Sequence, residues 1–346
     1  MLKKNLLAFD RFVVGVVLMT FGASTVGPFA PASAQAEGLI APSSAYHPAI
    51  LQGVKIFPDE PLRFDFVIDK ADSPLTGDAL KAEYSKIIKY FLTSLTVPEE
   101  DLWVNLSPYE KDRIVPEKFG QTEMGRDLLA QDYFLKQLTA SLMYPEGEVG
   151  KKFWDGVYRR AQEKLGTTQI PVNTFNKVWI IPDRAQVYEN GDVAFVTDSH
   201  LKVMLEEDLK AKEFVGASKT TKDSELSTQI VREIILPEIE REVNNGKSFA
   251  SLRQIYHSLI LAIWFKRNLK ESFVGQVYVE KNKITGVDIE DKQAKEKIYD
   301  QYLEAFKKGV YNYIKEEVDP ATKQLIPRKY FSGGTDLGQA EGVVTE

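Results

Sequence analysis

Residues 178–197 read VWIIPDRAQVYENGDVAFVT, and their period decides the fold. Val178 to Ile181 is a short apolar run that reads as a buried strand, and Ala185 to Glu189 and Asp192 to Thr197 flank Asn190-Gly191 with a period of two. That pair is the preferred centre of a type I′ hairpin turn, because both residues tolerate positive φ. An antiparallel strand pair is expected here. Leu201 to Leu205 then continues as a further strand or opens a helix through Lys212, and the strand is the preferred reading.

Helical spacing takes over on both sides of this ribbon. Upstream, Leu62 to Asp69 alternates as a half-buried strand, with Leu62, Phe64, Phe66 and Ile68 on one face. Asp78 to Leu95 then repeats Leu80, Tyr84, Ile87, Ile88, Phe91 and Leu95 as a helix stripe, which Pro98 ends. Ser107-Pro108-Tyr109-Glu110 has the spacing of a capping box, predicting a short helix that stops before Pro116. Thr122 can cap a longer helix to Tyr144, on which Met124, Leu128, Leu135, Leu138 and Leu142 make one stripe. A further helix is expected from Val149 to Leu165.

Downstream, Gly216 to Ser224 is polar and reads as a loop or a linker where the chain could divide. Leu226 to Val243 predicts an amphipathic helix strained at Pro237, which has no amide donor. Ser248 then caps a helix to Leu269 that is apolar around more than half its circumference and belongs at the centre of the core. Val277 to Val279 and Lys283 to Thr285 suggest a small hairpin, and Lys292 to Glu316 a last helix. The expected fold class is α+β, mainly helical with a small antiparallel sheet. Residues 51–331 form its globular part, after an extended leader at 37–50 and before a flexible tail at 332–346.

The chain of 346 residues has 44 Lys+Arg against 50 Asp+Glu, 43 % hydrophobic residues and no cysteine. Disulfides, thiolate metal sites and cysteine nucleophiles are excluded, so the core alone must hold the fold. Lys3, Lys4 and Arg11 precede an apolar run from Phe12 to Ala23, and small residues at Ala32, Ala34 and Ala36 follow. This is the order of a signal peptide over residues 1–36, with cleavage after Ala36 or, second, Ala34. An uncleaved anchor is the rival reading, but about 12 apolar residues fall short of the roughly 20 a membrane span requires. Cleavage after Ala36 moves the net charge from −6 to −8. An anionic chain is a poor partner for nucleic acid, whose binding needs clustered Lys and Arg.

The catalytic signals are weak. There is no G-x-S-x-G, and Ser199-His200 are neighbours whose side chains should point to opposite faces of a strand. Of the three histidines, His47 falls in the leader, His200 reads as a surface residue and His257 as a hydrogen-bonded core residue. No metal-ligand spacing and no cofactor motif is present: Asp69, Asp72 and Asp78 lack the order of a calcium loop. Paired-acid chemistry has two candidate clusters, Glu99-Glu100-Asp101 beside Trp103, and Glu206-Glu207-Asp208. Acids at helix starts, where they meet the positive dipole end, account for both without catalysis.

The wording of four stretches goes further. Asn105 to Tyr144, Ile170 to Asp183 (IPVNTFNKVWIIPD), Ala305 to Pro320 (AFKKGVYNYIKEEVDP) and Ile326 to Gly334 (IPRKYFSGG) resemble a family of uncharacterised exported proteins from Omnitrophota-type bacteria. The likeness runs from about Ile56 to Gly334. It implies a bacterial, exported protein, periplasmic or extracellular, and assigns no activity or site residue. The leading functional expectation is therefore a non-catalytic binding or structural protein of the envelope, with an unidentified protein or envelope component as partner. The alternative is a secreted hydrolase using the paired carboxylates.

Overall fold

A computed structural model describes residues 42–60, 63–107, 110–143, 178–206, 208–209, 231–271, 293–305, 316–318, 325–327 and 333–345, and a few positions between 155 and 166. The expected signal peptide, the helix at 149–165 for the most part, the 216–224 loop and the 277–285 hairpin lie outside the described residues.

The strand pair is the longest feature of the sheet. Strands β4 (Val178–Asn190) and β5 (Val193–Leu205) run antiparallel along their whole length, and β5 takes in Leu201–Leu205. The turn differs from the expected one. Asn190 keeps extended pairing with Val193, so the two central residues are Gly191 and Asp192, and only the glycine takes positive φ, at +61°. Glycine at the first central position is the arrangement of a type II′ turn rather than type I′.

Around this ribbon the sheet is larger than expected, and mixed. Strands β1 (Ile50–Ile56), β2 (Phe64–Asp69), β3 (Trp103–Val104), β8 (Gly334–Asp336) and β9 (Val344–Thr345) join it in the order β2-β1-β5-β4-β8-β3, with β9 also paired to β4. Both β8 and β9 run parallel to β4. Residues 333–345 are thus not a tail: Thr335 and Leu337 are fully buried, and β3 finds its partner in β8. Gly333 permits the approach, since a Cβ there would overlap the Val178 carbonyl. A separate two-stranded sheet pairs β6 (Glu316–Val318) with β7 (Leu325–Pro327), so Glu316 opens a strand instead of closing a helix.

The helices follow their stripes. Helix α1 spans Gly77–Thr96, and α2 spans Glu123–Met143, its first turn capped by Thr122 Oγ1 accepting the Gly125 amide at 2.9 Å. Helix α3 (Leu236–Asn245) follows a wide π turn at Val231–Ile235 and carries Pro237 in its first turn. Proline in the first turn removes an amide that has no intrahelical partner anyway, so the expected kink becomes a helix start. Helix α4 (Ala250–Glu271) is buried almost all round from Leu252 to Phe265 and packs against α1, α2, β1 and β5. Phe91 of α1 and Phe265 of α4 meet Phe64 of β2 edge-on at 5.2 and 5.0 Å. Helix α5 (Ala294–Ala305) adds Ile298 and Tyr302 to the core. The capping-box helix at Ser107 is reduced to one 3-10 turn at Lys111–Arg113, because the loop is tied elsewhere: Asn105 donates to Ile114 and Leu106 to Asp132. No helix among the described residues is long and apolar enough to cross a membrane.

Candidate functional site

The ribbon changes face partway along its length. In β5 Ala194 and Val196 are buried, then Leu201, Val203 and Leu205, with Met204 buried as well at the strand end, so the alternation changes parity across Asp198, Ser199 and His200. Strand β4 switches at the same level, and the register shifts between Pro182 and Arg184 and again between Gln186 and Val187. Bulges of this kind re-aim side chains. Ser199 and His200, expected on opposite faces, both border one cavity of about 670 Å³.

Four segments complete the cavity. Helix α3 contributes Glu240 and Asn244, and α4 contributes Arg253 and His257, which are one turn apart on the same face. Asn244 accepts the Leu201 amide at 2.9 Å and donates to its carbonyl at 2.7 Å, while Glu240 accepts the Val203 amide, pinning β5 to α3 beside His200. The leader forms one rim. It is no loose arm: Ala45 bridges Gly246, and Ser43 donates from its amide and hydroxyl to the buried Glu242. On the same rim the His47 amide and ring nitrogen lie 3.0 and 2.9 Å from Asp72. Those two contacts hold the Asp72 carboxyl below its usual range, the backbone amide first. Ala71, at φ +44°, makes a left-handed turn between Asp69 and Asp72, both of which line the cavity.

All three histidines therefore meet at one cleft. His200 Nδ1 is 3.1 Å from Asp183 and its Nε2 3.5 Å from Glu240, so it is half-buried and paired rather than free on the surface. His257 Nε2 lies 2.9 Å from Ser199 Oγ. Burial lowers the His257 pKa to about 4; the Leu51 backbone opposes the shift and the Arg253 charge adds to it. Burial likewise lowers Arg253 to about 10, against the pull of Glu242, and its guanidinium donates to the Val243 and Tyr46 carbonyls.

The depressed His257 pKa makes stability depend on pH. The folded imidazole binds its proton only near pH 4, whereas the unfolded one binds it near 6.5, so the unfolded state holds more protons between the two values. Stability is therefore lost as pH falls through that window, by roughly 3 kcal/mol at its lower end. Urea unfolding at pH 7, 5 and 4 should show this slope in the wild type and a flatter one in His257→Gln. Equal slopes would rule out burial of a neutral imidazole.

The acids singled out in the sequence stand elsewhere. Glu99, Glu100 and Asp101 form a 3-10 turn ahead of β3, with the Glu99 carbonyl against Gly338, and Trp103 is half-buried in β3. Glu206 and Asp208 follow β5, and Asp208 pairs with Arg232 at 2.9 Å; Glu207 lies outside the described residues. None of the described ones lines the cavity. The sequence clusters were neighbours in the chain, while the cleft is assembled from residues 47 to 257. No local signal marked the change of face in β5, since Val193 to Val196 and Val203 to Leu205 are apolar at every position. Among the described residues no group of three or more histidines and carboxylates is arranged to hold a metal ion. No family description, no curated protein and no solved structure matches the chain.

Proposed function

We propose that the protein is exported and works by binding a small polar ligand in the cleft between β5, α3 and α4. The observation that carries this is the convergence of His47, His200 and His257, from three distant parts of the chain, on one concave surface with Arg253. A volume of about 670 Å³ is of the size that holds metabolite-sized ligands, commonly about 300–1,000 Å³. The lining mixes carboxylates (Asp69, Asp72, Glu240) with guanidinium and imidazole groups, which suits a ligand carrying several hydrogen-bonding groups and an amine. Hydrolysis by paired carboxylates has no such support, since the described candidate acids stand apart from the cavity. The basic and apolar leader, and the resemblance to exported bacterial proteins, support a periplasmic or extracellular setting.

Saturation-transfer NMR with a mixture of amino acids, small amines and monosaccharides tests the binding reading. At least one component should register with the wild-type protein. Its affinity should fall about tenfold or more, roughly 1.4 kcal/mol, in the double variant His47→Ala, His200→Ala. Silence from every component, or an affinity unchanged in the variant, sinks the reading. Export is read independently from the first residue of the secreted chain, expected at Glu37 or Gln35.

A further inference from the structure

We propose that Ser199 is a nucleophile activated by His257, so that the cleft accepts acyl groups from small esters. The inference rests on the cleft being a ligand site and adds a chemical step to it. Ser199 Oγ and His257 Nε2 are 2.9 Å apart, within the reach needed to pass a proton from hydroxyl to imidazole, and both border the cavity. The other ring nitrogen, Nδ1, is buried and has no hydrogen-bond partner among the described residues. Base catalysis needs the neutral tautomer with its proton on Nδ1 and its lone pair on Nε2. In that tautomer the Ser199 hydroxyl donates to Nε2, which is the direction base catalysis requires. Arg253, one turn earlier on α4, brings a positive charge to the same cleft; with its guanidinium held by the Val243 and Tyr46 carbonyls, it can act on developing negative charge by its field and not by a hydrogen bond.

The step balances without a further reagent. Ser199 Oγ bonds to the ester carbonyl carbon as its proton moves to His257 Nε2. The electron pair displaced onto the carbonyl oxygen returns as the bond to the alkoxy oxygen breaks, and the leaving alcohol takes the proton from Nε2. Water repeats the sequence on the acyl-serine, releasing the acid and restoring the hydroxyl. No carboxylate among the described residues hydrogen-bonds His257. Turnover should accordingly be slow, about 10⁴-fold below that of a complete triad.

The test is covalent labelling of the full chain by phenylmethylsulfonyl fluoride, followed by peptide mass spectrometry. The adduct should fall on Ser199, vanish from that position in Ser199→Ala, and form at least tenfold more slowly in His257→Gln, whose amide cannot take up the proton. The wild-type pH profile gives a check that needs no variant: the rate should be half-maximal near pH 4 and flat above pH 6. An adduct confined to other residues, an undiminished rate in His257→Gln, or a rate that climbs with hydroxide through pH 8 overturns the proposal. No labelling with ligand signals intact removes the nucleophile and leaves the binding reading standing; loss of both removes the cleft as a site.

Discussion

Replacing Lys136 with methionine should lower folding stability by about 3–5 kcal/mol, the loss that follows when a buried charge is stripped of its partner. Lys136 and Asp132 sit one turn apart on α2 with side chains 2 % and 0 % exposed, and the ammonium lies 2.8 and 2.9 Å from the two carboxylate oxygens. The pair does more than neutralise itself. Lys136 also donates to the Gly333 carbonyl, and Asp132 accepts the Leu106 amide at 2.6 Å, so α2, the loop after β3 and the start of β8 meet at these two side chains. Burial pushes the Asp132 carboxyl up, while Lys136 and the Leu106 amide pull it down. Without the cation the folded carboxyl takes up a proton more readily than the unfolded one, so the variant's deficit should shrink as pH falls. Adding Asp132→Leu should recover much of the loss by removing the orphaned acid. Urea unfolding of the three proteins decides it, and a single-variant loss under 1 kcal/mol would show that the pair does not tie these segments together.

Ending the chain after Ser332 should abolish cooperative folding. Fourteen residues would go, two strands among them, and β3 would lose β8, its partner in the sheet. Leu337 and Val344 are 0 % and 5 % exposed, and burying each contributes about 1.5–3 kcal/mol. Arg267 would lose both carbonyls it holds, those of Glu341 and Val344, and Lys136 would lose Gly333. Together these reach the typical margin of about 5–15 kcal/mol on which a domain stands. Circular dichroism during heating should show a broad, featureless change in place of a transition. A truncated chain melting within a few degrees of the full one would mean that β8 and β9 add little to the sheet.

Elements with a long period were readable in the sequence, and those without one were not. The stripes of α1, α2 and α4 hold because many apolar residues recur on one face, and the ribbon was found from its period of two. Strands β8 and β9 have three and two residues, too few to carry any period, and the glycines at 333 and 334 read as a tail. In the sheet those glycines mark close approach of backbones, to Val178 and Val104. Strand β1 was missed because Ile50–Ile56 is buried on both faces in places and does not alternate cleanly. The cleft was hidden for a different reason: Ser199 reaches its partner across 58 residues and Arg253 reaches Tyr46 across 207, distances at which chain spacing carries no signal. His257 could be read as a hydrogen-bonded histidine, but not which hydroxyl it meets.

The parallel docking of β8 on β4 also sets an order of events in time. The β4–β5 ribbon closes through a two-residue turn and can form within microseconds of collapse. The β3–β8 pairing joins Trp103 to Asp336, a loop of more than 230 residues whose closure is entropically costly, and α2 helps to hold it by presenting Lys136 to the Gly333 carbonyl. Refolding should therefore be slow for a chain this rich in helix, because its sheet is completed by contacts remote in sequence. Until that last closure, Val178 and Ile180 keep an open strand edge, and the interval before it is when the chain is most exposed to aggregation.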